Sequence, residues 1–182
     1  MAEPKIPEPA LLVCAIFSGH AEALTWAAEH LARHFGPVGK VSEPFAFVHT
    51  KYYEPSMGLG LQKQLLAFEQ LTGQDSLPAI KLATNHQETE FAALKAFSEV
   101  RPLNIDPGLL TLGKFVLATT KDQAHRIYLE RGIYAEVTLR FQDGQFEPWP
   151  WTYADYREPA VRATLKEFRD YYKDRLRSAQ RE

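Results

Sequence analysis

The amino-acid sequence predicts an α+β fold: a mixed, mainly antiparallel sheet with helices packed chiefly on one face. Three observations carry this expectation. The second half holds short β-rich runs separated by the turn signals Pro107-Gly108, Glu130-Arg131-Gly132 and Asp143-Gly144. Two stretches, about 20–35 and 159–177, repeat apolar residues at helical spacing. The chain has 182 residues, 45% of them hydrophobic, and at this length roughly 70% of the unfolded surface is buried on folding. One domain, 1–182, is therefore expected, with a core that needs no cross-links.

Residues 1–10 read as an extended or disordered lead-in, because Pro4, Pro7 and Pro9 remove backbone donors and exclude helix. The wholly apolar run Leu11–Phe17 predicts a short buried strand. Ser18 is placed to cap a helix from about His20 to Phe35, with Leu24, Ala27, Ala28, Leu31 and Phe35 on one face. Gly36-Pro37 ends it. A strand is expected over Val41–Thr50, where Pro44 marks an edge or a bulge.

After the loop Tyr52–Gly60, the spacing of Leu61, Leu65, Phe68 and Leu71 fits a helix. Ile80, Leu82 and Thr84 alternate with Lys81 and Ala83, which suggests a strand, and Asn85 with Glu88 has capping-box spacing for a helix to about Phe97. Lys114–Thr119 reads as a strand. His125–Leu129 and Ile133–Phe141 read as a hairpin, and Asp143-Gly144 as the strongest hairpin signal in the chain.

The turns imply a register. A three-residue loop at 130–132 sets Leu129 against Ile133, Tyr128 against Tyr134 and Arg126 against Glu136; the Asp-Gly turn sets Phe141 against Phe146 and Arg140 against Glu147. Opposite charges then face each other twice, each pairing contributing roughly 0.2–1 kcal/mol. Strict alternation puts Ile127, Ala135, Val137, Leu139 and Phe141 on the core face, and Arg126, Tyr128, Tyr134, Glu136, Thr138 and Arg140 on the other. That second face is either solvated or a ligand floor.

Several chemistries are excluded or disfavoured. The 21 basic and 23 acidic residues leave a net charge of −2, unlike the basic excess that phosphate-backbone binding favours, so nucleic acid is not an expected partner. A single cysteine, Cys14, sits in the apolar run and reads as a buried thiol; no intrachain disulfide can form. No signal-peptide or membrane-helix pattern occurs, which makes the cytoplasm the expected location. There is no Walker A loop, and Gly58-Leu59-Gly60 reads as a turn. His30 and His34 have the spacing of a zinc pair but no companion ligands, so no metal is expected.

The segment Asn104-Ile105-Asp106-Pro107-Gly108 brings Asn104 and Asp106 to one side of an extended strand, with Lys114, Lys121, His125 and Arg126 downstream. Asp before Pro-Gly is ordinary turn chemistry. The same carboxylate, with basic neighbours, also suits phosphate binding or acid–base work. The candidate ligand-binding residues are thus Asn104, Lys114, Lys121, Arg126 and Tyr128, and the acid–base candidates are Asp106, His125 and Glu136. No particular cofactor is indicated.

The block 104–139 carries Asn104-Ile105-Asp106-Pro107-Gly108-Leu109-Leu110-Thr111, Thr120-Lys121-Asp122, His125–Leu129 and Gly132–Leu139. Together with Phe35-Gly36-Pro37, Tyr52-Tyr53-Glu54 and Trp151-Thr152-Tyr153, it resembles the bacterial domain-of-unknown-function family 4416 across nearly the whole chain. The resemblance implies a small cytoplasmic bacterial protein and brings no activity with it. The residues themselves favour a protein that binds, or binds and acts on, a small anionic or nucleotide-like ligand. Two rivals are a protein-interaction module using the aromatic segment Trp149–Tyr156, and an RNA-binding domain using Arg162, Lys166, Arg169, Lys173 and Arg177. Glu167, Asp170 and Asp174 interleave with that basic series and favour a solvated helix.

Overall fold

The computed structural model describes residues 3–179. Met1 and Ala2, the start of the expected lead-in, lie outside the described residues; Glu3–Pro9 carry no regular structure. The elements in chain order are β1 (Ala10–Ser18), α1 (Ala21–Phe35), β2 (Val38–Val41), β3 (Phe45–Ala46), α2 (Glu54–Met57), β4 (Gln62–Thr72), α3 (Leu77–Ala93), β5 (Asn104–Leu110), β6 (Lys114–Thr119), β7 (Ile127–Glu130), β8 (Ile133–Gln142), β9 (Gln145–Pro148), α4 (Ala154–Arg157) and α5 (Pro159–Ala179). All strands join one sheet in the order β2-β4-β1-β5-β6-β8-β7; β3 also pairs with β4, and β9 with β8. Every pairing is antiparallel. The α+β fold class read from the sequence is the one observed; the helices, expected chiefly on one face, cover both, α1 and α3 on one and α5 on the other.

β1 lies between β4 and β5, and both of its faces are covered, so it is apolar at nearly every position. Leu12, Cys14 and Ile16 pack with α1 and α3 on one face. Leu11, Val13 and Ala15 pack with α5 on the other. Burial pushes the Cys14 thiol well above its ordinary pKa, so it stays a protonated, apolar filler. Among the described residues no helix is long and apolar enough to cross a membrane.

Several segments differ from the sequence expectation. The strand expected over Val41–Thr50 is broken: β2 ends at Val41, and β3 holds only Phe45 and Ala46. Residues 61–71 form β4 rather than a helix. Leu65, Leu66, Ala67 and Phe68 are all buried because β4, like β1, is sandwiched between helical layers. Alternation is erased in such a strand, and Leu61, Leu65 and Phe68 then match helical spacing by coincidence. Residues 80–84 lie in α3 rather than in a strand, since the helix already begins at Leu77 with Pro78 in its first turn.

Pro107-Gly108 is likewise no turn but the middle of β5. Ile105 directs its N–H and C=O away from β1, and Pro107, two residues on, is oriented alike; the missing proline donor therefore removes no bond to β1. The β5–β6 pairs run only from Gly108↔Leu117 to Leu110↔Phe115. Gly108 permits that close approach, because a Cβ there would lie 2.7 Å from the Val116 carbonyl oxygen. Beyond Gly108 the two strands separate.

The β7–β8 turn is the two-residue Arg131-Gly132, both with positive φ, so Glu130 rather than Leu129 faces Ile133. Tyr128↔Tyr134 holds, as do Arg140↔Glu147 and Phe141↔Phe146 across the Asp143-Gly144 turn. Thr138 is an extra residue between the pairs Phe115↔Leu139 and Val116↔Val137. This bulge reverses the parity of β8: Ile133 and Ala135 face α1 and α3, whereas Leu139 and Phe141 face α5. The single core face expected for Ala135, Leu139 and Phe141 is thus split. Ile127 is exposed, because β7 is the outermost strand.

Candidate functional site

The α5 face of the sheet carries a row of polar side chains where the apolar core stops. Lys63 and Asn104 lie on either side of Phe17 in the ladder, and Leu117 opposes Glu136. Asp106 follows Asn104 by two residues and shares its face. Above this row is a cavity of about 420 Å³, lined by these residues together with Lys81, Arg101, Lys121, Asp155 and the rings of Phe47, Tyr52, Tyr53, Tyr153 and Tyr156.

The cavity exists because β5 and β6 diverge. The backbone groups of Ile105 that no longer meet β6 are satisfied by α3 from the opposite side of the sheet: Ile105 N–H donates to Glu88 Oε1 at 2.8 Å, and Lys81 Nζ donates to Ile105 O at 3.0 Å. Lys81 also reaches Asp106 Oδ1 at 3.1 Å. Arg101 bridges Glu88 Oε2 at 3.0 Å and Asn104 Oδ1. Two helix side chains thereby substitute for a ladder.

Three ion pairs wall the site. Lys63 Nζ lies 2.6 Å from Asp155 Oδ2, with both side chains buried. The ammonium also sits 4.5–5.4 Å from the ring centroids of Tyr156, Phe47 and Phe17. The second pair is Lys81–Asp106. In the third, Arg126 Nε donates to Glu136 Oε2 at 2.8 Å, and its other nitrogens donate to Lys121 O and Tyr153 Oη. Lys121 makes no ion pair among the described residues; its Nζ reaches Tyr52 Oη at 3.2 Å and lies 4.4 Å from that ring's centroid.

Burial opposes ionisation of Asp106, but the charges of Lys81 and Lys63 overcome it and hold the carboxyl below its ordinary value of 3.8. Burial raises the Tyr53 phenol, and the Asp106 charge raises it further. Burial also raises Glu88, against the pull of Lys81 and Arg101. The cavity therefore presents an ionised acceptor, Asp106, among neutral phenols. Because Asp106 is depressed in the folded state, its stabilisation is fully present above pH 3.8 and is lost as pH falls through the lower folded value. Acid-induced unfolding should accordingly be steeper below about pH 4 for the parent than for Asp106→Asn; equal slopes would show that the pair adds no pH-linked stability.

Two polar atoms in the cavity wall, Asn104 Nδ2 and Tyr156 Oη, are buried without a hydrogen-bond partner. Asn104 Nδ2 lies close enough to lower the Asp106 pKa, yet forms no well-oriented bond.

Of the residues singled out in the sequence, the structure brings Asn104, Asp106, Lys121 and Glu136 into the cavity wall. Arg126 lies directly behind Glu136. His125 Nε2 is 3.3 Å from Glu136 Oε2, and its ring stacks on Trp151. Lys114 and Tyr128 lie elsewhere: Lys114 is exposed at the far end of β6 opposite Arg140, and Tyr128 packs edge-on against Tyr134 on the outer strand. Lys63, Lys81, Arg101, Asp155 and Tyr156 were not legible as site residues. A lysine inside the apolar stretch 61–71 was the available signal for Lys63. No group of three or more His, Cys, Asp and Glu side chains placed to hold a metal occurs among the described residues.

An antiparallel sheet opened by helix side chains, with paired charges and aromatic rings around a central cavity, defines an α+β protein with a mixed polar and aromatic pocket. The chain belongs to the family described as domain of unknown function DUF4416, which matches residues 8–172. No curated protein and no solved structure matches it.

Proposed function

We propose that the protein binds a small anionic, nucleotide-like ligand in this cavity. The observation that carries the reading is the pair of buried, unpartnered polar atoms, Asn104 Nδ2 and Tyr156 Oη. A buried polar group without a partner costs roughly 1–3 kcal/mol, and a ligand that supplies the missing bonds recovers it. The volume suits a ligand of that size. Aromatic side chains offer faces for a flat ring, and Lys121 is a cation at the wall whose charge no carboxylate neutralises among the described residues.

The rival use of Trp149–Tyr156 as an interaction surface is less well supported. Trp151 Nε1 donates to Val137 O, Thr152 Oγ1 donates to Thr138 O, and Trp149 and Trp151 stack on each other. The segment is occupied in covering β8. In the α5 series, Arg162 and Arg169 bond to Phe146 O and Leu112 O, so these side chains fasten the helix to the sheet.

Melting temperatures measured with nucleosides, nucleoside monophosphates, sugar phosphates and inorganic phosphate test the proposal. At a hundredfold excess over Kd, binding stabilises by about 2.7 kcal/mol, which is roughly 5–10 °C for a chain of this size. The monophosphates should exceed their nucleosides, and Lys121→Ala should remove most of that difference. A panel in which no compound moves the melting temperature would overturn the reading.

A further inference from the structure

Asn104 and Asp106 stand two apart on one face of β5 and present complementary free groups to the cavity. Asn104 Oδ1 is taken by Arg101, which leaves the amide Nδ2 as an unpartnered, buried donor. Asp106 is engaged by Lys81 through Oδ1 alone, which leaves Oδ2 as an acceptor. The Arg101 contact orients the carboxamide, since only the oxygen can accept from a guanidinium. The wall therefore offers one donor beside one acceptor, in fixed order, next to the rings of Tyr53 and Tyr156.

Resting on the nucleotide-like reading above, we infer that this pair selects a flat heterocycle with a lactam edge, a ring C=O adjacent to a ring N–H, over its amino counterpart. The carbonyl oxygen accepts from Asn104 Nδ2 while the ring N–H donates to Asp106 Oδ2. An amino-substituted ring presents the opposite order, a donor facing the amide and a ring-nitrogen lone pair facing the carboxylate. Each mismatch leaves both partners unsatisfied, so the same site rejects the amino form.

The test uses two matched pairs of probes, inosine against adenosine and uridine against cytidine, which differ at this edge. Isothermal titration of the full chain should show the oxo compound bound roughly 10- to 100-fold more tightly in each pair, the discrimination usual for a two-bond edge contact. The exchange variant Asn104→Asp with Asp106→Asn conserves net charge, retains an oxygen for Arg101 and one for Lys81, and reverses the donor–acceptor order. It should prefer adenosine and cytidine. Equal binding of oxo and amino probes by the parent would overturn the inference while leaving nucleotide binding intact. A folded exchange variant that keeps the oxo preference would also overturn it. No binding of any nucleoside or nucleotide would remove the broader reading and this one together. Should the exchange variant fail to fold, the comparison with the parent protein decides the matter alone.

Discussion

Replacing Asp155 by alanine should lower the unfolding free energy by about 3–5 kcal/mol, because it strands the Lys63 ammonium in a buried site. Lys63 is only 3% exposed, and among the described residues Asp155 Oδ2 is the one acceptor for its Nζ. The three surrounding rings soften the loss but do not replace a counter-ion. Adding Lys63→Met removes the stranded charge and lays an apolar stem against the same rings, so the double variant should recover most of the loss. Urea unfolding of the parent, the two single variants and the double variant measures this as a coupling energy. A loss below about 1 kcal/mol for Asp155→Ala, the size seen for exposed pairs, would show that the lysine reaches water instead.

Glu136→Ala should act with similar size, about 3–5 kcal/mol. Arg126 and Glu136 have side chains only 2% and 1% exposed, and removal of the carboxylate leaves the guanidinium with two neutral acceptors, Lys121 O and Tyr153 Oη. The same carboxylate also receives His125 and Thr138. Its loss should therefore loosen the 120–126 loop and the Trp151 stack along with β7. Trp fluorescence, followed through the same unfolding transition, reports that loosening. Replacing both partners by Met and Leu should be far milder than either truncation, since buried pairs exchanged for apolar side chains are often neutral.

The Arg126–Glu136 contact shows what could be read in advance. Turn chemistry and charge complementarity within one hairpin are local, and they set these two residues together even though the turn proved one residue shorter than expected, with a compensating irregularity in the ladder. The β7–β8 hairpin, the Asp143-Gly144 turn, α1 and α5 were legible for the same reason, whereas β2 and β3 were misplaced. Of the central strands, β1 was legible as a wholly apolar run, but its two neighbours were not. β4 and β5 are covered on both faces, which removes the alternation that distinguishes a strand. In β5 this left Pro107-Gly108 as the dominant local signal, and it pointed to a turn. The cavity inherited that difficulty. Asn104 and Asp106 were visible as a polar pair, but Lys81 reaches Asp106 from α3, and the neighbouring Lys63 pairs with Asp155 from 92 positions away; nothing in local spacing announces such meetings.

The distance along the chain between Lys63 and Asp155 bears on how the protein is made. The two residues are 92 positions apart. A chain emerging from the ribosome at roughly 5–20 residues per second holds β1 and β4 well before it holds α4 and α5. Until those helices arrive, Leu11, Val13, Ala15, Leu65 and Phe115 form an open apolar sheet face with unneutralised lysine at its border. The nascent protein therefore passes through an interval in which half of its future interior is adhesive surface. Truncations before residue 155 should be found with chaperones or in inclusion bodies.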